Sequence, residues 1–213
     1  MELKEENHKK MNVMNYDRRA LSIDSPMYAY YANKIMEKTG VIRGVCVDAG
    51  SGGGYLGLAL ACITDLDFIF LDLSEKMLER AEYNIKNAGL QGRAKTLHAD
   101  VHKIPMENES VDLVISRGSI PFWNNPVAAL GEMYRILAPG GKVYVGTGRG
   151  TQEVREQVEA KRKEMGEKLH EWNKSPRRRN GMNCDYDGIQ SRINIVNFKL
   201  NRGEDGSWIQ MWK

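Results

Sequence analysis

The chain has 213 residues, 41% hydrophobic and 28% charged, with a formal net charge of +3. That balance excludes disordered and collagen-like classes, and it suits one globular domain with small additions. No apolar run approaches the ~20 residues needed to span a membrane, and the charged start MELKEENHKKMN does not read as a signal peptide.

The first ~15 residues are polar and read as a frayed end. Met27 to Lys38 reads as a helix with Pro26 in its first turn, and Val41 to Val47 as a short apolar strand. A glycine loop follows, then a helix over Tyr55 to Ile63 and a buried strand over Asp67 to Asp72. Ser74 is placed to cap a helix that runs to Ala88 and stops at Gly89, with Met77, Leu78, Ala81, Ile85 and Ala88 on one face. Arg93 to His98 and Val111 to Ser116 read as the third and fourth strands. Asn125-Pro126 opens a helix carrying Val127, Leu130, Met133 and Leu137, which Pro139-Gly140-Gly141 is expected to end. Lys142 to Gly148 reads as the fifth strand. Thr151 to Trp172 has a helical period but is highly charged, and Ser175 to Gly181 reads as loop. Ile189 to Leu200 and Ser207 to Lys213 read as two strands around a turn at Asn201 to Gly206.

Strands alternating with helices predict an α/β fold, an open doubly wound sheet with parallel strands joined by right-handed crossovers. An antiparallel hairpin is expected after strand five. Such a sheet takes its ligand at the carboxyl ends of the strands. Three cysteines, Cys46, Cys62 and Cys184, lack zinc-ligand spacing, which predicts reduced thiols, no metal site and a cytoplasmic protein.

The loop VCVDAGSGGGYLG fits two patterns. Gly52-Gly53-Gly54-Tyr55-Leu56-Gly57 matches the dinucleotide fingerprint, and Asp48-x-Gly50-x-Gly52-x-Gly54 matches an acid followed by three alternating glycines. A pyrophosphate beside Asp48 would be repelled. S-adenosylmethionine (SAM) carries an ammonium and a sulfonium and no phosphate, so the same acid attracts it. Asp72 ends the second strand, 20 residues after Gly52, where either cofactor would present ribose hydroxyls. Asp100 ends the third, in Leu97-His-Ala-Asp-Val101, where an acceptor can take an adenine amino group. Three acids at three successive strand ends suit a ligand laid across the sheet.

Val45 to Gly54, Asp72, Asp100, Val111 to Ser116 and Tyr134 to Val145, in that order, resemble the motifs of class I SAM-dependent methyltransferases. The resemblance is greatest to the methyltransferase type 11 group, which includes quinone-ring C-methylases, and the run Asp100 to Met106 shares it. Ser116-Arg-Gly-Ser119 with Phe122-Trp123 resembles a narrower set of uncharacterised microbial methyltransferases. The family implies a mostly parallel seven-stranded sheet, with residues 1–39 as an N-terminal segment and cap helix. Residues 40–213 would form one methyltransferase domain, its motifs within 40–148. It also implies SAM as cofactor and S-adenosylhomocysteine (SAH) as product. Carried over position by position, the cofactor contacts are Asp48, Gly50, Ser51, Gly52, Gly54, Asp72, Leu73, Met77, Asp100, Val101 and Ser116.

The substrate side is less marked. Arg117, Ser116, Trp123 and Tyr16 are its candidates. Arg117 suits an anionic acceptor or a structural ion pair, and Phe122-Trp123 is expected as an exposed pocket wall. Tyr16, Tyr28, Tyr30 and Tyr31 precede the first strand, where the chain can cover the cofactor mouth. His102 is expected to face water. Residues 151–179 hold nine Lys or Arg and six Glu, the whole charge excess of the chain. A solvated helix accounts for that excess, and so does a nucleic-acid surface. The reading is therefore a methyltransferase for a small-molecule acceptor, as a monomer or homodimer. An RNA methyltransferase and a non-catalytic SAM-binding module are the alternatives. A NAD enzyme ranks last because of Asp48.

Overall fold

The computed structural model describes residues 13–167 and 184–213. Seven strands form one sheet in the order β3-β2-β1-β4-β5-β7-β6. They are β1 Arg43–Ala49, β2 Asp65–Asp72, β3 Ala94–His98, β4 Val111–Arg117, β5 Leu137–Thr147, β6 Phe198–Gly203 and β7 Gly206–Trp212. The first five pair in parallel, and β7 lies antiparallel between β5 and β6. This is the expected doubly wound, mostly parallel seven-stranded sheet with its C-terminal hairpin.

Each face of the sheet carries a separate apolar core. On one face α1 (Val13–Ser22), α2 (Ser25–Thr39), α3 (Tyr55–Ala61), α4 (Glu75–Asn87) and α6 (Gln152–Glu164) cover Cys46, Phe68, Phe70, Leu113, Ile115 and Tyr144. On the other, α5 (Pro126–Ile136) and α7 (Tyr186–Arg192) cover Val47, Leu71, Val114, Val143 and Ile209. Alternate residues of the central strands, such as Cys46 and Val47 or Phe70 and Leu71, go to opposite cores, as the period-2 pleat requires.

Several boundaries follow from side chains named in the sequence. Gly40, at φ +67°, ends α2 with its N–H on the Met36 carbonyl. Asn125 caps α5 by accepting from the Ala128 amide, with Pro126 in the first turn. Ser74 stands at the N-cap of α4 but makes no side-chain cap bond there.

Three expectations are corrected. Of the start read as frayed, residues 1–12 lie outside the described residues, whereas Val13 to Asn15 already belong to α1, whose buried residues are Asp17 and Ala20. Helix α5 stops at Ile136, and Leu137 through Gly141 already belong to β5. Residues 189–200 are not one strand: Asp185 accepts the Gly188 amide and starts α7, so strand β6 begins only at Phe198. Trp172 and the basic loop Ser175 to Gly181 lie outside the described residues.

Candidate active site

The site begins at the carboxyl end of β1. Gly50, Gly52 and Gly54 have φ of +70°, +56° and +84°, values that side-chain-bearing residues rarely adopt. The loop turns sharply here because the amides of Gly50 and Ser51 both donate to the Leu71 carbonyl. A Cβ on Gly50 would meet Ser119 Cβ at 2.6 Å. A Cβ on Gly52 would meet only Tyr55, at 4.0 Å, so the loop is open above Gly52. That opening is the cradle a ligand needs for close approach to backbone.

Asp48 is 2% exposed and accepts the Gly57 amide at 3.0 Å. Gly57 is in the first turn of α3, so the carboxylate satisfies one of that turn's orphan donors. A Cβ on Gly57 would collide with the Phe70 ring and sit 3.2 Å from Asp48 Oδ2. The last glycine of the fingerprint therefore serves helix–strand packing, whichever cofactor binds. Burial pushes the Asp48 carboxyl up to about 7; the Gly57 amide opposes this and the Asp72 charge adds to it. Near neutral pH this carboxyl is therefore poised, and a cation beside it favours ionisation whereas an anion opposes it.

Asp72 closes the loop from the neighbouring strand. Its Oδ2 accepts the Gly52 amide at 2.8 Å, and its Oδ1 accepts the Ser74 amide at 2.9 Å. The second bond fixes the amide of Ser74, the residue that precedes α4. Leu73, just past the end of β2, is 64% exposed. Asp100 lies two residues past the end of β3. Its Oδ1 accepts both the amide and the Nδ1–H of His102, whose Nε2 accepts the Asn125 amide. His102 thus ties two loops together instead of facing water. Partial burial raises the Asp100 carboxyl, but the His102 bonds outweigh it and the net shift is downward. Among the described residues no group of three potential metal ligands occurs.

The structure brings Asp48, Gly50, Ser51, Gly52, Gly54 and Asp72 into one hydrogen-bonded turn. Ser116 is fully buried beside it, sharing its hydroxyl with Ser119, which also donates to the Ala49 carbonyl. Met77 and Val101 are buried in the core.

On the substrate side, the expected exposed aromatic pair is split. Phe122 is exposed, whereas Trp123 is buried in the core under α5, because the 3₁₀ turn Ile120–Phe122 rotates the two apart. Arg117 makes no ion pair to a carboxylate among the described residues. Its Nη2 donates to the Gly148 carbonyl and contacts Met27 Sδ, and its guanidinium lies 5.1 Å from the Tyr28 ring centre and 5.5 Å from that of Tyr31. Tyr16 is partly exposed and packs edge-on to Tyr55. Of the four N-terminal tyrosines, Tyr28 and Tyr31 are core residues.

Sequence reasoning missed Asp17. It is buried on α1 and receives Tyr55, Asn84 and Arg80. The signal was present only as one acid in a polar stretch near the start of the chain, without local periodicity.

A parallel sheet that reverses after β5, with an open glycine turn after β1 and acids beyond the next two strands, defines the class I SAM-dependent methyltransferase architecture. The family model described as "Methyltransferase domain" matches residues 47–145. A crystallised protein of Methanococcus maripaludis, assigned to the SAM-dependent methyltransferases, is 35% identical. The match covers 94% of this chain and 91% of that one, with a TM-score of 0.80. The malonyl-[acyl-carrier protein] O-methyltransferase of a Marinomonas strain is 30% identical over 152 residues, 66% of this chain and 52% of that protein. The demethylmenaquinone methyltransferase of Staphylococcus aureus is 30% identical over 131 residues, 60% of this chain and 53% of that protein. The chain belongs to the SAM-dependent methyltransferase family. It spans about half the length, or less, of the curated relatives it matches.

Proposed function

We propose that this protein transfers a methyl group from SAM to a small-molecule acceptor. The observation that carries the reading is the buried Asp48 beneath a left-handed glycine turn that stays open above Gly52. SAM supplies a sulfonium-bound methyl group, which needs little further activation.

The chain's own residues bind and orient. The backbone at Gly50, Ser51, Gly52 and Gly54 admits the methionine portion, and Asp48 provides the compensating charge. Asp72 has a lone pair left on each oxygen for ribose hydroxyls. Asp100 and Leu73 take the adenine edge and face. Met77, Val101 and Ser116 back these positions through buried contacts. Arg117 and Tyr16 face the acceptor, and Phe122 stands at the exposed rim. Placing an acceptor in line with the transferred group, away from water, is worth on the order of 7–11 kcal/mol.

The matched relatives named for quinone and acyl-carrier acceptors support a small-molecule or carrier-borne acceptor. The RNA alternative loses support on α6, where Arg155 pairs with Glu204, Arg162 with Glu159, and Lys161 donates to Ser25. The three free cysteines are consistent with a reducing cytoplasm. Among the described residues no helix is long and apolar enough to cross a membrane.

Two measurements test the reading. Calorimetry should show SAM and SAH binding and no NAD binding; tighter binding of NAD overturns the cofactor assignment. Labelled SAM added with the protein to cell extract should yield a labelled small product. Label appearing only in RNA would move the function to the alternative.

A further inference from the structure

Asp17 lies on α1, outside the motifs that carry the family resemblance, and is 2% exposed. Its Oδ1 accepts the Tyr55 hydroxyl at 3.1 Å and Asn84 Nδ2 at 2.8 Å. Its Oδ2 pairs with Arg80 Nη2 at 2.6 Å. Burial raises the Asp17 carboxyl, but the three donors outweigh it and hold it below the ordinary carboxylate range. A buried anion with three side-chain donors from two other helices is a junction, and removing the anion would leave those donors unsatisfied.

Two of the three donors act on the glycine loop. Tyr55 follows Gly54 directly, and its ring folds back over Gly53, where a Cβ would collide with it. Asn84 is buried on α4 and donates from the same Nδ2 to the Gly53 carbonyl at 3.0 Å. An amide nitrogen has two hydrogens, so one can serve Asp17 and the other Gly53. That fixes the amide's orientation, since the reversed amide would set its oxygen against the carboxylate. The peptide at the centre of the loop is therefore held through Asn84 by a charge on α1.

The glycine loop has few side chains with which to hold itself. Gly52 and Gly54 lie in left-handed conformations on either side of Gly53, and glycine backbone loses the most freedom on ordering. Polar partners must set its geometry. Tyr16 and Tyr28 pack against Tyr55 with ring centres 5.8 and 5.6 Å away, so α1 and α2 close around the same residue.

We infer that Asp17 is a positioning residue for the cofactor loop: through Tyr55 and Asn84 it fixes the Gly53 peptide and holds α1 closed over the loop. The inference rests on the reading of Gly50 to Gly54 as the cofactor loop. A second tether of α1 provides the control. Arg18 is exposed and pairs with Glu167 at 2.9 Å, and among the described residues its side chain makes no hydrogen bond or ion pair to the loop or to Asp17's partners.

The test is SAH calorimetry well below the melting temperature, combined with amide exchange, on the parent, Asp17→Asn, Asn84→Leu and Arg18→Ala. Asp17→Asn and Asn84→Leu are each expected to weaken SAH binding by tenfold or more. They should speed exchange at Gly52 to Tyr55 and leave the β4 and β5 amides protected. Arg18→Ala should bind as the parent does. A merely structural aspartate would lower the melting temperature without changing affinity in the cold or exchange confined to the loop. Binding within twofold of the parent and unchanged loop exchange in both variants overturn the inference. If Asp17→Asn does not fold, Asn84→Leu decides. If the parent itself does not bind SAH, the cofactor reading fails, and loop exchange alone decides the role of Asp17.

Discussion

The Gly52 amide donates to Asp72 Oδ2 at 2.8 Å, so the end of β2 holds the middle of the turn that follows β1. The other oxygen of Asp72 holds the Ser74 amide. Asp72 therefore has a structural task before any ligand arrives. Asp72→Ala should lower the stability of the ligand-free protein by about 1–3 kcal/mol, the range for stranding donors of a charged acceptor. It should also weaken SAH binding by a similar amount. Urea unfolding and calorimetry measure the two effects separately. Lost stability with unchanged affinity would leave Asp72 as a loop anchor only.

The glycines of the turn should separate by role. Gly50→Ala combines φ +70° with a Cβ 2.6 Å from Ser119 Cβ, so strain adds to overlap. It should destabilise the protein by about 2–4 kcal/mol. Gly52→Ala has φ +56° but open space, so the stability loss should stay near 1–2 kcal/mol. Its methyl group instead occupies the cradle, and SAH binding should fall at least tenfold. Thermal melts together with titrations check the pair. Equal affinity in Gly52→Ala and the parent would place the ligand elsewhere.

What could be read in the sequence and what could not divide along a physical line. The five parallel strands and the glycine turn are encoded locally, by apolar runs and by residues that tolerate positive φ. Helix α1 is not: it buries one alanine and one aspartate, and its anchor is a polar contact to residues 38 and 67 positions away. Residues 189–200 mislead because Ile189, Ile193 and Ile195 lie on a short helix and its exit with a spacing that also fits a strand. Trp123 misleads differently, since adjacent aromatics look equivalent until a 3₁₀ turn sends one into the core.

Asp48 predicts a pH dependence with a definite sign. Burial raises its carboxyl to about 7 in the native state, against an ordinary value of 3.8. Between those values the folded chain holds a proton that the unfolded chain has lost. This contribution to stability is fully present below pH 3.8, declines as pH rises, and is gone above about 7. At ~1.4 kcal/mol for each pH unit between the two values, its upper bound is about 4 kcal/mol. Asp48→Asn should flatten that part of the stability profile, as followed by urea unfolding between pH 4 and 8. A cationic ligand at this strand end favours the ionised carboxyl, so SAM binding should release up to about half a proton at pH 7, and more at pH 6. Calorimetry in buffers of different ionisation enthalpy reads that proton. Proton uptake on binding would contradict the placement of a cation there.

Arg117 carries the prediction with the most at stake for the acceptor. It ends β4 beside the glycine turn, and its charge is met by two tyrosine faces, a sulfur and one carbonyl. Its buried Nε has no hydrogen-bond partner among the described residues. Asp24 feels the Arg117 charge, but among the described residues no carboxylate pairs with it directly, so its unused donor is suited to receiving an anionic group. Arg117→Ala should leave SAH affinity within about threefold of the parent, because no loop contact is lost. It should lower stability by about 1–2 kcal/mol through the lost Gly148 bond and tyrosine contacts. Methyl transfer to the acceptor identified in extract should fall by tenfold or more. Arg117→Lys should recover only part of it, since an ammonium lacks the forked donor geometry. The measurement is initial rate against acceptor concentration at saturating SAM. If Arg117→Ala lowers stability but transfers methyl at the parental rate, Arg117 is a bracket between β4 and α2, and the acceptor's charge is held by another group.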